Sequence, residues 1–253
     1  MTSLLTALST VGLLCLGAAI GSLVRDRLPD HHIRDDSKDI VKTTSGMVAT
    51  LVALVIGLLV SSAKSSFDDA SDGVTQAGAR MILIDRMLGR YGPETQPIRE
   101  RMKSALQVAI DRLWGTGTSR KEGLVAIEQG RGVDDVLEMI EGLNAVTDKQ
   151  KQIRSNAISA CQDLLQSRWL MIERAQTTLP LPFLAILIFW LSVLFTSFGL
   201  LTPRNRTTML CLLVCALAMA SAIALLMEMN RPFEGTIQVS PAPLLKALQV
   251  IGK

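Results

Sequence analysis

The stretch from Thr43 to Tyr91 constrains this chain more than any other. Its first part, Thr43 to Ala63, is apolar apart from scattered Thr and Ser. About 21 residues rising 1.5 Å each cover roughly 31 Å, close to the hydrocarbon thickness of a bilayer. No turn-forming pair separates this run from KSSFDDASDGVTQAGARMILIDRMLGRY, which is amphipathic. The pattern predicts one long helix that begins in lipid and ends in water.

Two periodicities lie on that helix. In the apolar part, Thr43, Gly46, Thr50, Ala53, Gly57 and Ser61 recur three or four residues apart, with Lys64 just below. They predict a small, weakly polar face. Val48, Leu51, Val52, Val55, Leu58 and Leu59 are expected on the other face. In the wet part, Phe67, Ala70, Val74, Ala77, Met81, Ile84, Leu88 and Tyr91 alternate steps of three and four, the seam of a helix with a partner helix. A small-residue face either lets neighbouring helices approach closely or lines a narrow wet path. The sequence leaves both open.

Long apolar blocks alternate with charged ones in a chain that is 49% apolar and only 19% charged, the mark of a polytopic membrane protein. From Lys64 to Thr178 there are 16 Lys or Arg and 16 Asp or Glu, so no basic field for nucleic acid arises. Aromatics at 4% are too few for a base-stacking surface. Cys15, Cys161, Cys211 and Cys215 form no CxxC and have no His beside them, so they read as small apolar filler rather than a metal site.

Taken in order, Leu4 to Val24 is a first span, retained rather than cleaved because no Lys or Arg precedes it. Arg25 to Val41 is expected to be a solvated connector. Its His31, His32, Asp30, Asp35, Asp36 and Asp39 are ligand types without a ligand spacing. After the second span and its wet extension, Tyr91-Gly92-Pro93 ends the helix. Ile98, Met102, Ala105, Leu106, Ala109 and Leu113 mark a second amphipathic helix, stopped at Gly115-Thr116-Gly117. Ser119 to Glu122 has the capping-box form and opens a short helix, and Gly130-Arg131-Gly132 breaks it. Val133 to Leu143 is another short helix. A second capping box, Thr147 to Gln150, starts a helix from Asp148 to Thr178, the expected antiparallel partner of Phe67 to Tyr91.

Leu179 to Leu201 is the third span, with Pro180 and Pro182 bending its start and Trp190 packing mid-span. Thr202 to Arg206 is a tight turn. Thr207 to Met229 is an Ala-rich fourth span, and Leu244 to Ile251 a short helix in the tail. Glu228 can pair with Arg231 or reach the interface. The fold class is therefore an all-α membrane protein with four transmembrane helices and a helical soluble insert between spans two and three. The expected divisions are 1–63, 64–178, 179–229 and 230–253. Four spans put both termini and the insert on one side. Near the membrane, Arg25, Arg27, Arg34, Lys38, Lys42, Arg204 and Arg206 oppose Lys64, Arg80, Arg168, Arg174, Arg231 and Lys246, so charge does not decide orientation.

This layout resembles the bestrophins, and more nearly the bacterial bestrophin-like family. The resemblance rests on LVALVIGLLVSSAKSSFDDASDGV, MILIDRMLGRYGPE, ERAQTTLPLPFLAILIFWLSVLF and MNRPFEGTIQVSPAPL. The last, an Arg-Pro-Phe-x-Gly just past a span, is the most specific. The resemblance implies a homo-oligomer, pentameric in bestrophins, whose second spans line an axial pore for small inorganic anions such as chloride. It implies a bacterial cell membrane, with termini and insert in the cytoplasm. The pore-facing residues it implies are Thr50, Ala53, Gly57, Ser61 and Lys64. Bestrophins narrow this span with aromatics. Here the first is Phe67, the gate candidate. Bestrophins also follow Pro-Phe-Gly with calcium-binding acids, whereas Arg231, Pro232, Phe233 and Gly235 lead into TIQVS, so no metal and no cofactor is expected.

The first functional reading is an anion channel, in which a ring of Lys64 favours anions at a Thr- and Ser-lined path. The alternative is a non-conducting scaffold or sensor whose insert docks a partner. An enzyme using His31, His32 and Asp35 is the remote third, since no phosphate loop, nucleophile elbow or metal-helix motif occurs.

Overall fold

The computed structural model describes residues 2–27, 35–115, 132–176, 181–202, 205–233 and 235–253. Its helices are α1 (Thr2–Arg27), α2 (Asp35–Tyr91), α3 (Gln96–Trp114), α4 (Gly132–Glu141), α5 (Asp148–Gln176), α6 (Leu181–Leu201), α7 (Arg206–Met229) and α8 (Ala242–Val250), with a 3-10 turn at Pro93–Thr95. The described residues contain no strand. Among the described residues, four helices are long and apolar enough to cross a membrane: α1, α2, α6 and α7. His31, His32, Asp30, the Ser119 to Glu122 box and Pro180 lie outside the described residues.

The expected helix from Thr43 to Tyr91 is present and longer, 57 residues from Asp35. The connector is correspondingly shorter than Arg25 to Val41. No Pro or Gly occurs between Asp35 and Ser45, so nothing stops the helix from extending back from the span.

The chain divides into two compact units, 1–66 with 178–237 and 67–177 with 238–253. In the first, α1 packs against α6 and α7. Leu187, Leu191, Leu194 and Phe195 line one face of α6 and meet Leu14, Ala18, Val52, Ala216 and Ile223, with Trp190 packed at the margin. Hydroxyls in this apolar layer bond to their own helix, as Thr196 Oγ1 does to Ser192 O at 2.8 Å. Arg25, near the end of α1, donates to Thr202 O at 2.7 Å, satisfying a carbonyl just past the end of α6.

In the second unit the wet half of α2 buries the expected seam: Val74, Met81, Ile84, Leu88 and Tyr91 are covered. It runs antiparallel to α5. Arg80 Nη1 donates to Asp163 O at 2.7 Å and contacts the Ser167 hydroxyl, while Gly73 lies at Met171 and Glu94 meets Gln150. Ile98, Met102, Leu106 and Ile110 of α3, Val136 and Ile140 of α4, and Ala157, Cys161 and Leu164 of α5 complete the burial. Thr147 and Gln150 form the expected reciprocal cap: the Gln150 N–H donates to Thr147 Oγ1 at 3.2 Å and the Thr147 N–H to Gln150 Oε1 at 3.1 Å.

Candidate pore-lining face

At 100° per residue, Thr43, Gly46, Thr50, Ala53, Gly57, Ser61 and Lys64 fall within an arc of about 80° on α2. Every one is exposed in the single chain. A methyl group added at Gly46 or Gly57 would meet nothing within 4 Å. Among the described residues, the small face from Thr43 to Ser61 is thus left exposed, with open space at its two glycines. The opposite side is the packed one: Val48, Ala49, Val52, Val55, Ile56 and Leu59 turn toward the core. The other face expected from the sequence thus divides. Leu51 and Leu58 are exposed and join Met47 and Leu54 in an apolar strip beside the small one. Helix α2 has three sides in this segment: one filled, one greasy and open, one small and open.

The Thr hydroxyls on the open side are hydrogen-bonded inward. Thr50 Oγ1 donates to Gly46 O at 3.0 Å and Thr43 Oγ1 to Asp39 O at 2.8 Å. With its proton engaged, such a hydroxyl presents acceptor lone pairs outward. Phe67 lies about 60° around the helix from Lys64 by the same 100° step. It is half-buried, at the head of the seam rather than on the small strip.

Arg231, Pro232, Phe233 and Gly235 form a turn just past α7. Phe233 is buried, and Gly235 has φ +92°, a conformation that favours glycine. A side chain there would strike the Glu228 carboxylate. Glu228 Oε2 accepts from the Thr236 N–H at 2.7 Å and its hydroxyl at 3.1 Å, so this acid pins the turn. Among the described residues no three His, Cys, Asp or Glu side chains are grouped to hold a metal ion.

Two features escaped the periodicity argument. The closest helix approach uses different glycines. A Cβ at Gly21 would overlap Thr196 O and lie 2.9 Å from Leu200 N, and one at Gly199 would overlap Ala18 O. Gly17-x-x-x-Gly21 is the signal that announces such a seam. The second feature is Asp85, only 1% exposed in the second unit. Arg99 Nε and Nη2 donate to its two oxygens at 2.7 and 3.1 Å, and the Gly252 N–H donates at 3.1 Å. The hydrogen bond to Asp85 raises the Arg99 guanidinium above its ordinary value against the opposing effect of burial. Burial pushes the Cys161 thiol up to about 11. That thiol faces a small apolar cavity with Met81, Ile84, Met102, Val136 and Leu164, a lining with nothing to orient a polar ligand.

Comparison with known proteins bears on the whole chain. The family described as Bestrophin-like domain matches residues 12–244. No curated protein matches the sequence. A variant of a bacterial bestrophin homologue from Klebsiella pneumoniae superposes with a TM-score of 0.70 at 15% identity, covering 99% of this chain and 97% of that one. A further structure of a bacterial bestrophin homologue from that organism gives 0.68 at 16%, covering 97% and 95%. At this identity the likeness establishes the fold.

Proposed function

The chain belongs to the Bestrophin-like family, and from that premise we propose that it is an oligomeric membrane channel whose second span lines an axial path for small anions such as chloride. The observation that carries this reading is the open small strip. No described part of the chain covers this face of Thr, Ala, Gly and Ser, and its back-bonded hydroxyls keep acceptor lone pairs that water can use. In a ring of copies, pentameric by analogy, Thr50, Ala53, Gly57 and Ser61 line the path and Lys64 supplies a collar of positive charge. Phe67, the first aromatic after Lys64, is the candidate constriction. The greasy strip of Met47, Leu51, Leu54 and Leu58 beside it meets a neighbouring copy or lipid. The insert and both termini lie in the cytoplasm of a bacterial cell whose inner membrane holds the channel.

A second reading is favoured by one observation. Asp68 and Asp72 follow Lys64 at steps of four on the same helix, and both are exposed. With the outward lone pairs of Thr50, they favour cations over anions. Purified protein in planar bilayers under a KCl gradient separates the two. A reversal potential near the chloride value, displaced toward the potassium value by Lys64→Glu, supports the anion path. A potential near the potassium value, abolished by Asp68→Asn with Asp72→Asn, supports the cation path. Absence of current from a verified oligomer rejects both.

A further inference from the structure

Residues 238–253 form a strap that belongs to the second unit although they follow the fourth span in sequence. Its contacts include three at the backbone. The Trp114 indole N–H donates to Val239 O at 2.8 Å. Gly78 of α2 gives room to Pro243, whose carbonyl oxygen would lie 2.9 Å from any added Cβ. The Gly252 N–H reaches the Asp85 carboxylate at 3.1 Å, with Gly252 at φ +87°. Leu244, Ala247 and Ile251, spaced three and four, bury one side of the strap.

We propose that this strap is a latch that opens and closes without unfolding the helices beneath it, with Asp85 as its catch. The strap is thin: Ser240, Ala242, Leu245, Lys246, Gln249, Gly252 and Lys253 are exposed. Its helix has nine residues, too few to persist alone, so a released strap becomes coil. Most of the buried side chains of the unit come from other helices, α2 to α5. Beside the buried apolar side chains Val239, Leu244, Ala247 and Ile251, the seat carries an ion pair, Asp85 with Arg99. When the strap leaves, water reaches Asp85 and Arg99 while they keep each other, so opening orphans no charge. Closed, the strap fastens α2, through Asp85 and Gly78, to α3, through Trp114. The proposal does not depend on conduction.

Hydrogen exchange on the full-length protein in nanodiscs tests it. The latch requires amides of α8 to exchange at least tenfold faster than those of α5 in the unaltered chain. Gly252→Pro removes the N–H and cannot adopt a positive φ. It is expected to speed α8 a further several-fold and leave α5 unchanged. Exchange of α8 and α5 at one common rate, or a Gly252→Pro chain in which α8 is unaltered or α5 accelerates with it, overturns the proposal.

Discussion

Two small-residue faces within the membrane-spanning unit meet opposite fates. Gly17 and Gly21 on α1 bring that helix so close to α6 that Gly21 and Gly199 have no room for a methyl group. Gly46 and Gly57 on α2 face open space. The residue types are similar, so composition alone does not decide between packing and a path. What differs is the flank. Ala18 and Leu14 carry α1 into the core beside its glycines. On α2 the fully buried core residue, Val52, lies about 120–140° around the helix from Gly46 and Gly57. A small face adjoining the buried stripe becomes a seam. One opposite that stripe is left for another copy or for water.

The strongest way to break this contrast is to fill both faces. Gly21→Leu drives a side chain into the α6 backbone. It should cost more than about 4 kcal/mol, enough to remove the monodisperse peak in detergent. Gly57→Leu should leave folding within about 1 kcal/mol and reduce ion flux instead. Equal loss of fold in both would abolish the distinction. A filled site in the other unit extends the comparison. Asp85→Ala strips the partner from an Arg99 whose side chain is only 14% exposed, and should lower stability by about 3–5 kcal/mol in thermal melts. A smaller effect is expected at Cys161. Its folded thiol holds the proton to about 11, against 9.0 for an ordinary thiol. The resulting contribution to stability is full below pH 9 and is lost as pH rises toward about 11, up to about 3 kcal/mol. Cys161→Ala should flatten that difference between melts at pH 8.5 and pH 11.

The sequence was most legible where order is local. Apolar run lengths located the four spans, the three-four alternation found the seam from Val74 to Tyr91, and Thr147 with Gln150 announced its own cap. Where pairing is remote, the pattern was silent. Nothing near Asp85 says that Arg99 and the Gly252 backbone will meet it, because a charge in a seam looks like any surface charge until its partners arrive. The strap was hidden for the same reason: Trp114 and Val239 lie 125 residues apart. The small strip on α2 was visible as a pattern. That no described part of the chain covers it could come only from the packing of α1, α6 and α7. The Gly17 and Gly21 spacing is legible in the sequence, but only the packed helices show that α6 is what it meets.

The central claim is that the small strip of α2 faces water while the leucines beside it do not. With Cys15, Cys211 and Cys215 replaced by Ser, single cysteines at Thr50, Ala53, Gly57 and Ser61, and separately at Leu51, Leu54 and Leu58, can be challenged in nanodiscs with a charged, membrane-impermeant thiol reagent. The account predicts modification of the first set and protection of the second, alternating every three to four residues. Protection of all seven, or reaction confined to the leucine positions, would contradict it.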